Sequence, residues 1–592
     1  MTVVYCSWAN GDDTTGDGSA SNPWKTITKA STTRAAGDEV RVEKSPDPTA
    51  LTGTTAWTLN GTAVTGTGTL FSTELAIGDF ISAPDGGWYE VITISSDTSA
   101  TLYKKYPSAN ASGHSSQKLG VTDTGAAAAS TTQVQVVSSS GSAVDYLYIT
   151  GGWDLTTQTQ TGQTWFKQMN ATFANRYGYG LYFDGKSYVS TNKLNFLRYN
   201  YGIYYYNSSN NNTISSATCN SNNNTGIYYT SSSNNNTISS ATCNSNNNTG
   251  IYYNSSSSNN TISSATCNSN TNTGIYCYTS NNNTISNATC NSNGYQGIYY
   301  YNSSNNTITS ATCNSNNSYG IYYYSSSNNN SVSNATCNSN GSGICYNASN
   351  NNLITAATCN SNGSYGIYYA SSSSNNVISS ATCNSNTYGI YYTTSSSNNT
   401  IYALSTTGNT TGGIYSDYSV NICHKATIAE STKVSMGTTH YADHRQYINN
   451  LGGYSYIYGD YATANSQAAT AGGTGKEWKF AITNAERGSK YPFYIPIARI
   501  AVGSTGKVTV KVYFKKSGTG IAGGLRCRVN QITWSDGTSD KTVACPNDTN
   551  RNQVTLEFTP TEAGVVEIEA GAWYVSATDQ TVIVDDITIS QA

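Results

Sequence analysis

The sequence predicts an all-β chain organised around a parallel β-helix, and three observations carry the prediction. Cysteine recurs as Cys219, Cys243, Cys267, Cys290, Cys313, Cys337, Cys359 and Cys383, at steps of 22 to 24 residues. A Gly-Ile pair keeps the same period, at Gly202, Gly226, Gly250, Gly274, Gly297, Gly320, Gly343, Gly366, Gly389 and Gly413. The composition suits strands and turns: 49 Tyr and 53 Gly stand against 3 Met, and 10% of residues are charged, where a globular chain usually carries about a quarter. Two landmarks sharing one period mark an internal repeat. Their regular placement also argues against the disorder that a polar, weakly charged composition would otherwise suggest.

Each repeat reads as three short strands separated by turns: Gly-Ile-Tyr-Tyr, then Asn-Thr-Ile-Ser, then Ala-Thr-Cys-Asn. Strand side chains alternate between faces. In the repeat starting at Gly226, Ile227 and Tyr229 therefore face one way and Tyr228 the other, while Ile238, Ala241 and Cys243 share the inner side. A helical reading fails because the runs are short and Asn, Ser and Gly break them. A unit this small cannot bury a core alone. Stacked coils can, by pairing each strand with its equivalent about 4.8 Å away. Identical residues then form ladders, and Asn ladders at the turns satisfy their amides on one another. Asn also tolerates the left-handed turn conformation. Ten Gly-Ile coils give a rod on the order of 50 Å long.

The period and the inward residues resemble the right-handed parallel β-helix superfamily, which includes pectate-lyase-like enzymes, copper-maturation periplasmic proteins and phage tailspikes. Residues 1–50 then form a cap and the first coil. Gly16, Asp17, Gly18, Pro23, Trp24, Thr26, Ile27, Ala30, Gly37 and Asp38 are similar to the entry motif of such helices, which implies a short amphipathic helix from Lys25 to Ala36 covering the apolar end. Residues 51–108 alternate in short strands with Gly-rich turns and are expected to form a small inserted β-barrel. The phrases GTGTLFSTELAIGDFI and YEVITISSDTSATL resemble a module of phage tail-fibre proteins. Residues 109–430 carry the β-helix, most regular over 199–416. Residues 431–476 form a polar transition segment. Residues 477–592 hold long alternating strands, expected as a jelly-roll β-sandwich. Its closing strand, Val584 to Ile589, resembles that of carbohydrate-binding-module-like domains.

The distribution of charge bounds the chemistry. From Tyr199 to Ser416, 218 residues contain no Asp, Glu, Lys, Arg or His. Glycoside hydrolysis uses two carboxylates in the usual case, a lyase needs a base and a cation, and calcium needs carboxylate oxygens. No catalytic residue, metal ligand or cofactor is therefore assigned on the rod. Asp145, Asp154 and Asp184, with Lys167 and Arg176, could form a cleft in the irregular coils, but no spacing marks a pair and turn or surface charge is the favoured reading. His440 and His444 lack the further ligands that a zinc site wants. The acidic stretch at 10–18 lacks EF-hand spacing and reads as turns. The eight ladder cysteines read as inward, reduced, stacked thiols rather than metal ligands or disulfides. Cys277 replaces an inward Tyr in its coil. Cys527 and Cys545 are a separate candidate disulfide.

Two outward ladders are candidate binding surfaces. Tyr204, Tyr228, Tyr252, Tyr276, Tyr299, Tyr322, Tyr368 and Tyr391 would suit sugar stacking or protein contact, with a subunit interface or plain sheet propensity as the alternatives. Thr218, Thr242, Thr266, Thr289, Thr312, Thr336, Thr358 and Thr382 form a rank similar to those of ice-binding solenoids, although sheet Thr is common.

These readings order three function classes. The favoured expectation is a phage virion protein, a tail fibre, spike or head appendage that attaches to host surface polysaccharide without catalysis. The alternatives are a tailspike-like polysaccharide depolymerase and a surface adhesin or ice-binding solenoid. A net charge of −3 favours neither nucleic acid nor an anionic membrane. No run is long and apolar enough to span a bilayer, and the first residues do not read as a secretion signal. The expected location is the phage particle surface after assembly in host cytoplasm. Other virion proteins are expected partners, and the tailspike resemblance implies a homotrimer.

Overall fold

The computed structural model describes residues 1–416 except 33, 125–132, 169–177, 394–395, 397–398 and 403, and beyond 416 a set of strands between 422 and 591. It divides into two compact units, Met1–Ser349 and Asn350–Ala592. Each contains coils of parallel β-solenoid, and the described residues are all-β apart from two short helices.

The first coil starts with Val3–Cys6, which pairs parallel to Glu39–Glu43. Between them lies the helix Ile27–Ser31, shorter than the Lys25–Ala36 helix expected. The reason is local. One Asp13 oxygen accepts the backbone N–H groups of Lys25 and Thr26 at 2.9 and 3.0 Å, and Thr26 is extended. The helix starts only after it, capped by the Thr26 hydroxyl accepting from Lys29 N. The acidic stretch at 10–18 is likewise turn structure, with Asp12 accepting from Thr14 and Thr15 N and Asp17 from Ser19 N.

Glu39–Glu43 pairs next with Leu147–Asp154, and Thr122–Asp123 already pairs parallel with Thr164–Lys167, so the chain leaves the rod after Glu43 and is back on it by Thr122. Between these points lies an eight-stranded antiparallel sheet. It extends beyond 51–108, taking in Thr49–Ala50, Ala111–His114 and Gln117–Lys118. The strand order begins at Thr49–Ala50 and ends at Ala111–His114, so the strands of the inserted domain run as an open series where a small β-barrel was expected. Its core gathers around Trp57, Phe71, Val91 and Leu102.

The coils of the first unit repeat one plan. In the coil from Thr225, strand Thr225–Tyr229 pairs parallel with Ile251–Tyr253, bringing Ile227 onto Ile251, Tyr228 onto Tyr252 and Tyr229 onto Tyr253. Strand Thr237–Ser239 pairs with Thr261–Ser263 in the same way. Ile227, Tyr229, Ile238 and Cys243 are fully buried, and each buried aliphatic chain contributes about 1.5–3 kcal/mol. The expected third strand is reduced to one bridging residue, Thr242, paired to Thr218 and Thr266. Left-handed residues on either side, Ser240 (φ 53°) and Ser245 (φ 59°), bend the chain there and leave no room for a longer strand.

Two buried Asn ladders run through the turns. Asn236 N donates to Asn260 Oδ1 at 2.8 Å, and both N and Nδ2 of Asn246 donate to Asn270 Oδ1 at 2.9 and 3.1 Å. The left-handed positions of this coil are Ser231, Ser232, Asn235, Ser240 and Ser245. Asn thus serves chiefly as ladder and Ser chiefly as bend, a division of labour that the sequence reading had merged. The recurring glycine needs no left-handed backbone. A Cβ on Gly250 would sit 2.6 Å from the carbonyl oxygen of Gly274, so glycine is required by the close approach of successive coils.

The second unit repeats the plan with Tyr365–Ala370 paired to Tyr388–Tyr392 and Leu353–Thr355 to Val377–Ser379. Further on come two antiparallel sheets. One has the order Ser466–Ala469, Lys476–Ile482, Gln580–Gln591, Val508–Lys516, Asn552–Phe558, the other Phe493–Val502, Gly564–Tyr574, Ala522–Arg528, Asp540–Ala544. Val554, Leu556 and Phe558 are buried and alternate with exposed Gln553, Thr555 and Glu557.

Candidate functional site

The inserted domain is pinned to the rod by charge and by apolar contact. Arg198 of the rod meets Glu90 of the insert at 3.2 Å. Lys167 lies 3.4 Å from Asp79 and 3.5 Å from Asp123, and Lys118 approaches Asp79 at 3.3 Å. Phe80, Leu119 and Leu197 form a joint apolar cluster, against which Trp88 and Trp165 pack half-buried. Lys104 Nζ donates to Thr271 Oγ1 at 2.6 Å.

This docking encloses a groove of about 610 Å³. One wall carries the 85–89 hairpin turn with Trp88 and Tyr89, and Trp165 of the rod also lines the groove. The floor is the Thr-Cys-Asn-Ser line of five successive coils, presenting Thr218, Thr242 and Thr266, then Asn220, Asn244, Asn268, Asn291 and Asn314, with Ser245 and its equivalents beside them. Cysteine faces the interior, so the floor is hydroxyl and amide only. The one charged residue among the described lining is Asp85. Its carboxylate accepts from Gly87 N at 2.9 Å, Tyr89 OH at 2.7 Å and Ser108 Oγ at 3.3 Å. Burial, with Asp85 close by, pushes the Tyr89 phenol far above its ordinary range. Aromatic rings facing a row of fixed amides and hydroxyls can grip a polyhydroxylated ligand, apolar on its faces and polar at its edges.

The outward Tyr ladder has a different character. Tyr252 stacks on Tyr276 at 4.6 Å and 11°, and Tyr276 on Tyr299 at 4.6 Å and 4°. Tyr204, Tyr228 and Tyr322 continue the row at 5.1 Å spacings. Beyond Tyr322 the equivalent position is Cys345. In the second unit Tyr368 and Tyr391 meet edge to face at 5.8 Å. The rings cover one another's faces, so they offer edges and hydroxyls, and some hydroxyls are taken: Tyr228 OH accepts from Asn254 Nδ2 at 2.7 Å. Burial raises the Tyr204, Tyr252, Tyr276 and Tyr322 phenols, and pushes Tyr299 up to about 12.

The upstream acids are not gathered into a cleft. Asp154 caps its own turn through Thr156 and Thr157 N, Asp184 accepts from Asn207 Nδ2, and the Asp145 carboxylate lies against Gly37. Lys167 is committed to Asp79 and Asp123. Arg176, His440, His444 and Cys545 lie outside the described residues, as does the Cys527 side chain. Cys219, Cys243, Cys267, Cys290, Cys313, Cys337, Cys359 and Cys383 are buried thiols that form no disulfide, as is Cys277 in the inner Tyr row. Desolvation drives the Cys243, Cys267 and Cys290 thiols well above their ordinary range.

Sequence reasoning missed the groove. Trp88 and Trp165 were its only available signals, and nothing local says that residues 77 apart line one groove.

A family model described as "Right handed beta helix region" matches residues 179–337, and one described as "Periplasmic copper-binding protein (NosD)" matches residues 264–411. The residues here do not fit copper: the described part of that stretch offers only packed thiols whose charged form burial disfavours, and no group of three or more His, Cys, Asp or Glu placed to hold a metal occurs among the described residues. No curated protein matches the chain. Similar solved structures include the Azotobacter vinelandii mannuronan C-5 epimerase AlgE4 A-module, at 14% identity over 54% of this chain and 88% of that one, TM-score 0.39. Pectate lyase Pel9A shares 14% identity over 65% and 80%, TM-score 0.38. The Dettilon tailspike protein (gp208) shares 12% over 75% and 85%, TM-score 0.38.

Proposed function

We propose that the chain is an attachment protein of a phage particle that binds a host surface polysaccharide without cleaving it. The observation that carries this reading is the groove between the inserted domain and the rod. Its Trp88 and Trp165 rings and its amide and hydroxyl floor suit a sugar chain. Binding is also the role that its chemistry favours, because Asp85 is the single carboxylate among the described lining residues and hydrolysis uses a pair in the usual case. The virion assignment draws on the insert's resemblance to a tail-fibre module. In this reading the protein sits on the particle surface, contacts other virion proteins and assembles as a homotrimer.

The test is incubation of purified protein with capsular and lipopolysaccharide glycans, scoring binding together with release of reducing ends or unsaturated sugars. Binding without release is expected. Release would replace this reading with a depolymerase, and absence of both would leave a purely structural role in the particle. Light scattering of the full chain tests the trimer.

A further inference from the structure

Resting on the attachment reading, we propose that the groove selects a neutral glycan bearing N-acetyl groups. The argument starts from the floor amides. Asn244 N donates to Asn220 Oδ1, Asn268 N to Asn244 Oδ1, Asn291 N to Asn268 Oδ1 and Asn314 N to Asn291 Oδ1, each at 2.7 Å. With Asn338 N donating to Asn314 Oδ1 at 2.8 Å, every side-chain carbonyl of the row is used within the rod, and this fixes which end of each amide is oxygen. The opposite end, Nδ2, carries two N–H donors and has no hydrogen-bond partner among the described residues. Turned away from the ladder bond, these amides present a row of donors to the groove, repeated once per coil at about 4.8 Å.

A donor row selects for acceptors. Ring and glycosidic oxygens accept on every sugar and so select nothing; among the acceptors that differ between sugars are carboxylates, hydroxyls and acetamido carbonyls. A carboxylate would bring its charge into a groove whose only lining charge is Asp85, with no lining cation among the described residues, and like charges at close range repel. Lys104 is bonded to Thr271, outside the lining. A hydroxyl accepts but also donates, and Thr218, Thr242, Thr266 and the Ser row already offer groups able to do both. An acetamido carbonyl offers two lone pairs from its oxygen, matching a group that only donates. Its methyl adds apolar area against Trp88 or Trp165.

The test is calorimetric titration of the full chain with four oligosaccharides of equal length: β-1,4-linked N-acetylglucosamine, its de-N-acetylated form, β-1,4-linked glucose and galacturonate. The N-acetylated oligomer is expected to bind at least tenfold more tightly than the glucose oligomer. Asn268→Asp and Asn291→Asp keep the oxygen that accepts from the next coil but remove the two donors. Each is expected to lose at least fivefold in affinity for the N-acetylated oligomer while melting within a few degrees of the parent. Equal binding of the N-acetylated and glucose oligomers, or preference for galacturonate, overturns the acetamido assignment and leaves attachment intact. If no oligomer and no host glycan binds, the attachment reading itself fails. A variant that melts early is replaced by Asn244→Asp, read in the same way.

Discussion

Arg198 and Glu90 meet at 3.2 Å with 4% and 0% of their side chains exposed. One belongs to the rod, at a left-handed position (φ 65°), and the other to the inserted domain. The pair ties the insert to the rod, and the groove lies between those two parts. A buried ion pair is weak evidence of net stability, but removing one partner leaves an unpaired charge and costs about 3–5 kcal/mol. Arg198→Met is therefore expected to loosen the insert, seen as faster hydrogen exchange over residues 80–102, and to abolish glycan binding. Arg198→Met combined with Glu90→Met is expected to recover most of the melting temperature, since a well-packed apolar pair is often neutral. If the single variant exchanges like the parent, the pair does not hold the insert.

The groove and the outward Tyr ladder make opposite predictions. Trp88 and Trp165 stand half-buried at the groove, the setting in which aromatic truncation usually costs more than about 1 kcal/mol of binding. Trp88→Ala is expected to weaken glycan binding at least fivefold. Tyr276→Ala, which removes a ring already covered on both faces by Tyr252 and Tyr299, is expected to leave it within twofold. The reverse ranking in a titration would move the site to the ladder.

The contrast shows what the sequence could reveal. Ile227, Tyr229, Ile238 and Cys243 could be placed inside from period and alternation alone, because a solenoid repeats one local decision. The groove could not be read this way. It depends on where an insert docks, and docking is decided by Arg198 with Glu90 and by Leu197 with Phe80 and Leu119, contacts that no periodicity encodes. The Tyr ladder was visible as a row but not as a self-stacked one, because ring orientation follows from packing. The short helix at Ile27 was overestimated because the Asp13 carboxylate that delays it lies 12 residues before the first N–H it holds.

Charge enters the same argument. With Asp85 the single lining charge among the described residues, salt has little to screen. The Kd for a neutral glycan is expected to change less than twofold between low salt and physiological salt. A Kd rising steeply with NaCl would require ionic contacts that this groove does not offer.

The repeated glycine is a packing requirement. A Cβ on Gly250 would meet the Gly274 carbonyl oxygen at 2.6 Å, a backbone atom that cannot swing aside. Gly250→Ala is expected to destabilise by about 1–3 kcal/mol through overpacking, read as a lower denaturant midpoint. Thr284→Ser, at an exposed strand position, serves as the control and is expected to move the midpoint far less.

The tyrosines set the alkaline limit of the fold. Tyr182 is pushed up to about 12 by burial and by Asp184, Tyr201 to about 12 by burial and by Tyr228 and Tyr179, and Tyr299 to about 12 by burial and by Tyr324 and Tyr301. An unfolded tyrosine ionises near pH ~10. The sign follows from linkage: the folded state holds its phenolic protons more tightly, so this contribution to stability is complete below about pH 10 and is lost as pH rises through about 12. Stability is therefore expected to stay flat from neutrality to about pH 10 and then fall, with tyrosinate absorbance and loss of β-sheet dichroism appearing together. Rings that ionised near their ordinary pKa while the dichroism held would mean that the rows are open to water, contrary to the stacking of Tyr252, Tyr276 and Tyr299.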